Sequence, residues 1–271
     1  MPSISAAENP ELAREMISAA LSEPAPEVQE EEREVEFPVD NVFDLAGGYL
    51  GVDGYRASTA EVRELNGRDE EAILKAKTSA AMTDQVLKRG LVRVGEVEVD
   101  DMILDGMLAG DRELVLLHIF ASTFGREVTT NRVCPECQET VQFTIDTLKD
   151  VPIKTLDSES DRTFTVKCGV GPVTVTLPTG VTHKEIQESE GKNLSELSTI
   201  LLFNTVLSIN GQDVLSRSDV LDLPIRDRRK IAEEIAKRAP GPKLLDITMD
   251  CPECGHKGVE VPLSMGALFQ F

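Results

Sequence analysis

Tryptophan is absent from this 271-residue chain, and tyrosine and phenylalanine together make up only 4% of it. Any core must therefore be built from aliphatic side chains. Basic residues are scarce as well: 28 Lys and Arg against 48 Asp and Glu give a formal net charge of 28 − 48 = −20. That deficit argues against a general nucleic-acid binder, whose phosphate contacts come from Lys and Arg. It equally argues against a basic helix lying on a membrane surface. No apolar run approaches the roughly 20 residues of a membrane span, and the N-terminus lacks the charged and apolar regions of a secretory signal. The expectation is a soluble, acidic, cytoplasmic product. A hydrophobic content of 41% supplies a core, and the length is about two domains' worth at roughly 100–200 residues each.

Histidine is nearly as rare, and the three present do not form a catalytic set. His118 lies in Leu116-Leu117-His118-Ile119 and reads as a satisfied core or interface residue. His183, beside Lys184 and Glu185 in a helix's first turn, reads as solvated. Gly47-Gly48 and Gly169-Val170-Gly171 match neither common phosphate-binding loop pattern. Acid pairs such as Asp100-Asp101 and Glu233-Glu234 read as solvated faces. The chain is expected not to be an enzyme.

Cysteines are few, but four of the five form two identical tetrapeptides, Cys134-Pro135-Glu136-Cys137 and Cys251-Pro252-Glu253-Cys254. Without an export signal, paired CxxC reads as metal or redox chemistry rather than disulfides. Each turn places two sulfurs on one side of a tight loop, and two turns close the shell of a structural Zn²⁺ with no open position for water. The expected metal ligands are Cys134, Cys137, Cys251 and Cys254. Proline helps fix each turn, and Gly255 permits a positive φ. The 113 residues between Cys137 and Cys251 cost about 2 kcal/mol more to close than a 15-residue loop. Zinc binding at such sites is worth roughly 10–16 kcal/mol. A redox dithiol competes, but each CPEC runs into strand-like sequence rather than a helix N-terminus, and Glu136 and Glu253 raise neighbouring thiol pKa values. Uncommitted thiols are a third reading. His256, two residues on, could replace Cys254 but reads as solvent-facing, and Cys168 reads as a small apolar side chain.

Along the chain, residues 1–36 hold ten Glu against Arg14 and Arg33, −8 of the total charge. This composition describes a disordered acidic arm or a segment that orders on a partner, the solvated tail being favoured; a short helix around Pro10–Leu21 is compatible with it. Ser58 and Glu61 fit a capping box that opens a helix to Leu65, and Asn66-Gly67 breaks it before a restart at Asp69–Ser79. Thr83–Lys88 is helical, Leu91–Val99 a hairpin, and Asp111–Phe124 the most apolar helix of the first half. Arg126–Val133 and Thr140–Asp146 are strands around the first CPEC. Phe164–Cys168 and Val173–Leu177 form a second hairpin. Thr182 and Glu185 box the next helix, Asn193–Ile209 continues helical, and Asp219–Leu223 and Pro224–Ala239 follow. Leu244–Met249, CPEC and Lys257–Leu263 repeat strand, knuckle and strand, and no longer repeat is visible. The fold class is α+β: mixed helical domains joined by a two-knuckle, zinc-ribbon-like β lobe. The segments are an arm at 1–36, a mainly helical domain at 37–125, a first knuckle at 126–150, an inserted hairpin-plus-helix domain at 151–242, and a second knuckle with an apolar tail at 243–271. Ser264–Phe271, with Met265, Leu268, Phe269 and Phe271, is expected to be an attachment segment; folding back onto the lobe is the alternative.

Several segments in this order resemble a known family. They are Val62-Arg63-Glu64-Leu65-Asn66-Gly67-Arg68-Asp69-Glu70, Gly110-Asp111-Arg112 opening an apolar helix, and the first CPEC with its returning strand. Leu177-Pro178-Thr179-Gly180, Leu223-Pro224 with Asp227-Arg228-Arg229, Pro240-Gly241-Pro242, the second CPEC followed by Gly255-His256, and Leu268-Phe269-Gln270-Phe271 follow. Residues 56–271 are similar to the baseplate hub assembly chaperones of T-even-type contractile-tailed phages and related contractile injection systems. Asn66 departs from the family's Thr. The resemblance implies a non-enzymatic baseplate component or assembly chaperone, in the host or producing cell or retained in the particle. Its implied partners are baseplate hub, wedge or tube proteins, with no nucleic acid and no membrane span. The competing classes are a zinc-ribbon nucleic-acid or transcription-associated module, disfavoured by Glu127, Glu136, Glu139, Asp246, Asp250, Glu253 and Glu260 around the knuckles, and a CxxC thiol oxidoreductase.

Overall fold

In the computed structural model, residues 41–189 and 191–269 are described. The acidic arm, the helix expected within it and Phe271 lie outside them. Strands β1 (Val42–Leu50) and β2 (Arg56–Val62) open the chain as an antiparallel hairpin, followed by helices α1 (Gly67–Ile73) and α2 (Ser79–Gly90). Strands β3 (Leu91–Val94) and β4 (Val97–Glu98) complete a sheet in the order β1-β2-β3-β4, and α3 (Asp101–Gly106) and α4 (Ala109–Phe124) follow. The hairpin β5 (Glu127–Val133) and β6 (Thr140–Asp146) carries the first CPEC, and β7 (Ile153–Lys154) and a 3₁₀ turn at Glu159–Arg162 lead onward.

Then the first pattern recurs. Strands β8 (Thr163–Cys168) and β9 (Gly171–Thr176), helices α5 (Gly180–Gln187) and α6 (Leu194–Thr205), strands β10 (Val206–Ile209) and β11 (Gln212–Asp213), and helices α7 (Arg217–Leu221) and α8 (Ile225–Arg238) repeat the ββααββαα order. Their sheet has the matching order β8-β9-β10-β11. Strands β12 (Gly241–Pro242), β13 (Thr248–Met249) and β14 (Val259–Glu260) and helix α9 (Met265–Leu268) finish the described chain.

The recurrence extends to individual side chains. Arg112 donates from Nη1 to the Leu104 carbonyl at 2.8 Å and from Nη2 to Asp84 at 3.1 Å. Arg228 donates from Nη1 to the Val220 carbonyl at 2.7 Å and from Nη2 to Thr199 Oγ1 at 2.8 Å. The aspartate before each arginine caps a backbone N–H of its module's first hairpin: Asp111 accepts from Gly47, and Asp227 from Gly169 and Val170. Asp100 and Ser216 cap α3 and α7, Thr78 and Asn193 cap α2 and α6, and the tight turns put Gly95 (φ 59°) and Asn210 (φ 50°) at matching points. The chain thus holds two copies of one module. The expectation of no longer repeat is corrected: what the copies share is spacing, caps and the Asp-Arg pair, not a run of identical residues.

Other local readings change with it. Ser58-x-x-Glu61 does not open a helix; those residues lie in β2, where Ala60 and Val62 are buried and the two-residue alternation wins. Asn66-Gly67 starts α1 rather than ending a helix, since Asn66 accepts from the Arg68 and Asp69 N–H groups and Asp69 returns the bond. α6 stops at Thr205, and Val206–Ile209 crosses into the second sheet. The segments around the second knuckle pair over only two residues each.

Three cores form. The first packs Val62, Ile73, Leu87, Val94, Val115 and Ile119; the third packs Val166, Val173, Leu202, Val220, Ile231 and Ile235. The second joins the cysteine lobe to α4 through Leu117 and Phe120 against Val141, Phe143, Ile247 and Val261. Helix α4 therefore serves two cores, which is why it is the most apolar helix of its half. Each fully buried aliphatic side chain contributes about 1.5–3 kcal/mol. The tail belongs to these cores too: Leu268 is buried, and Met265 and Phe269 pack against the first and second clusters. The expectation of an attachment segment is corrected for the described residues, because α4 leaves an apolar flank that α9 covers.

Asp69 sets an acid limit on the first module. It takes Arg63 at 2.8 Å and Arg89 at 3.2 Å while nearly fully buried. The Arg63 hydrogen bonds hold its carboxyl down at about 2. A carboxyl depressed on folding contributes stability above its unfolded value near 4, and that stability is lost as pH falls toward 2. Asp69→Asn should lower the melting temperature at pH 7 and flatten the fall between pH 4 and pH 2. An unchanged acid limb would show that Asp69 is not the cause.

Candidate metal centre

Both knuckles are built the same way from the backbone up. Cys134 N–H donates to the Glu139 carbonyl at 3.0 Å, and Cys251 N–H to the His256 carbonyl at 2.8 Å. The return bonds run from Gln138 N–H to the Cys134 carbonyl and from Gly255 N–H to the Cys251 carbonyl. The residue after each second cysteine is left-handed, Gln138 at φ 60° and Gly255 at φ 72°. Glycine takes that conformation without strain. Gln138 takes it with its amide donating to the Pro135 carbonyl at 2.7 Å.

The four expected residues are brought together. The Sγ atoms of Cys134, Cys137, Cys251 and Cys254 all lie within 4.8 Å of one another. Cys134 and Cys254 approach to 3.8 Å, and Cys137 and Cys251 to 4.0 Å. A tetrahedral ion with metal–sulfur bonds of ~2.3 Å requires sulfur–sulfur edges of about 3.8 Å. The donor set fits such an ion, with Cys134 and Cys251 buried and Cys254 exposed.

Their electrostatics point the same way. The Cys137 N–H favours the Cys134 thiolate and lowers its pKa to about 6, against burial. The His256 N–H favours the Cys254 thiolate too, yet burial and the other three sulfurs push that pKa up to about 12. Backbone N–H groups are arranged for thiolates, but four together repel, and a bound cation removes that repulsion.

The remaining candidates do not gather into a second site. His118 stacks on Phe43 at 3.5 Å between ring centroids, and burial lowers its pKa to about 4. Cys168 packs against the third core. Asp100 caps α3 and Glu234 pairs with Arg238. His183 corrects its expectation: it is partly buried, its pKa falls to about 4 by desolvation, and Nε2 is 3.0 Å from Gln187. The helix covers it because α5 packs against α4 of the other module. Sequence reasoning missed Glu113, whose signal was a lone carboxylate within the most apolar helix of the first half.

Fold and site together define a class: a mixed α/β protein of two like modules tied by a four-cysteine knuckle pair. The family model described as T4 bacteriophage base plate protein matches residues 53–269, which takes in both knuckles, the second module and all of the first except β1. The chain belongs to that family and is a baseplate component. No curated protein and no solved structure matches it. Among the described residues no helix is long and apolar enough to cross a membrane.

Proposed function

We propose that this chain is a non-enzymatic baseplate subunit or hub assembly chaperone of a contractile tail or injection system, held by one structural Zn²⁺ on Cys134, Cys137, Cys251 and Cys254. The observation that carries the metal reading is the pair of sulfur separations near the tetrahedral edge. In this reading the 37–125 and 151–242 segments present surfaces to hub, wedge or tube proteins. The 126–150 and 243–271 segments form the clasp between them. Exposed Leu215, Leu221 and Ile225 on the second module support a protein-binding role. The acid excess around the knuckles favours this over a nucleic-acid module.

Purified chain should carry about one equivalent of zinc, and co-expression with hub, wedge and tube proteins should yield a complex with one of them. Presence in finished particles assigns a subunit; presence only in assembly intermediates assigns a chaperone. A metal-free chain of full stability would sink the zinc reading.

A further inference from the structure

A cavity of about 470 Å³ opens along the seam between the two modules, where α2 and α4 of the first meet α5 and α6 of the second and α9. That volume is typical of sites that enclose a ligand group. Its walls are largely apolar, with Met82, Val86, Leu116, Ile186 and Met265 among them. Glu113 lines it as well.

Several polar neighbours in the wall make bonds within it, while His183 Nδ1 is buried without a hydrogen-bond partner. Lys192 donates to Ser189 Oγ at 3.0 Å, Thr83 to the Ser79 carbonyl at 3.0 Å, and Gln187 lies 3.0 Å from His183. Among the described residues Glu113 has no hydrogen bond or ion pair. Lys243 is near enough to favour its charge without an ion pair, and its Nζ donates to the Ala239 carbonyl at 3.0 Å. Desolvation raises the Glu113 carboxyl to about 7. A withdrawn carboxylate without a donor is costly, and folds keep such groups where a ligand supplies the donor.

The repeat supplies an internal control. The position after the buried Asp-Arg pair is Glu113 on α4 and Arg229 on α8, where it is exposed. The module accepts opposite charges there, so its own folding does not require the acid.

We propose that this cavity receives an arginine or lysine side chain presented by a protein partner. The aliphatic stem lies along Met82, Leu116 and Met265, and the cationic head donates to Glu113. That the occupant comes from a protein rests on the baseplate reading; the acceptor and the apolar walls do not.

The test is calorimetric titration of the full-length, metal-loaded chain with hexylguanidinium. Saturable one-to-one binding is expected, at least tenfold tighter than hexanol. Glu113→Gln should weaken it at least tenfold with melting temperature and metal content unchanged. Met82→Trp, which fills the cavity, should abolish it. Glu113→Leu should raise the melting temperature by about 2–4 °C, since a partly desolvated acid is removed. Acetyl-Leu-Arg-Leu-amide should bind more tightly than hexylguanidinium. The reverse order assigns the cavity to a small free organic cation and overturns the protein source. No saturable binding to the wild type, equal binding of hexanol, or equal binding by the Gln variant overturns the site. Metal content is read separately throughout, so failure here leaves the zinc reading standing, and a metal-free chain leaves the cavity result interpretable.

Discussion

Cys251→Ser is expected to release the metal and unfold the cysteine lobe. Cys251 is buried, its Sγ is 4.0 Å from that of Cys137, and its N–H closes the second knuckle on His256. Strands β13 and β14 pair over two residues each, so little ladder remains to hold this knuckle once the ion is gone. Structural zinc contributes roughly 10–16 kcal/mol in isolated peptides. Here the lobe is also fastened to α4, so the expected loss is smaller, on the order of 5 kcal/mol. That is comparable with the whole margin of a typical domain. Thermal melts with and without chelator should show the same drop in the wild type that the variant shows without chelator. Cys168→Ser is the control and should keep both metal and melting temperature. A Cys251→Ser chain that retains one equivalent and melts normally refutes the assignment.

Truncation after Pro262 should have the second largest effect. It removes Leu263 and Leu268, both buried, together with Met265 and Phe269. It also removes the bond from Leu263 N–H to the Leu244 carbonyl and the edge contact of Phe269 on Phe120 at 5.9 Å. Deleting one buried Leu side chain costs about 2–5 kcal/mol. Losing two with their neighbours should lower the melting temperature by on the order of 10–20 °C. Leu268→Ala alone should produce a smaller drop in the same direction. A truncated chain that melts like the wild type would restore the attachment reading.

The two knuckles, the hairpins at 91–99 and 163–176 and the apolar helix ending at Gly125 were legible, because each depends on residues adjacent in sequence. β1 was not: Asp44, Gly47 and Gly48 interrupt its alternation, and its pairing with β2 shifts register between Asp44 and Tyr49. The repeat was hidden for a different reason. Arg112 and Arg228 make the same bonds, but their partners Asp84 and Thr199 differ in type and lie 28 and 29 residues away. Of the candidate metal site, the gathering of all four cysteines was readable; the left-handed Gln138 was not, since nothing in a glutamine announces a positive φ. Glu113 and His183 stayed obscure because the seam they line exists only once both modules are packed.

The separation of the two knuckles orders events during synthesis. Cys134 and Cys137 leave the ribosome before any residue of the second module, whereas Cys251 and Cys254 follow all of it. The first module can fold on emergence, as N-terminal units do, but its neighbouring lobe then holds two thiolates of a four-thiolate shell. That shell closes only on a chain whose second module has been translated. In the zinc reading proposed above, metal capture therefore comes last, and a chain truncated before the second knuckle cannot pass for a finished one.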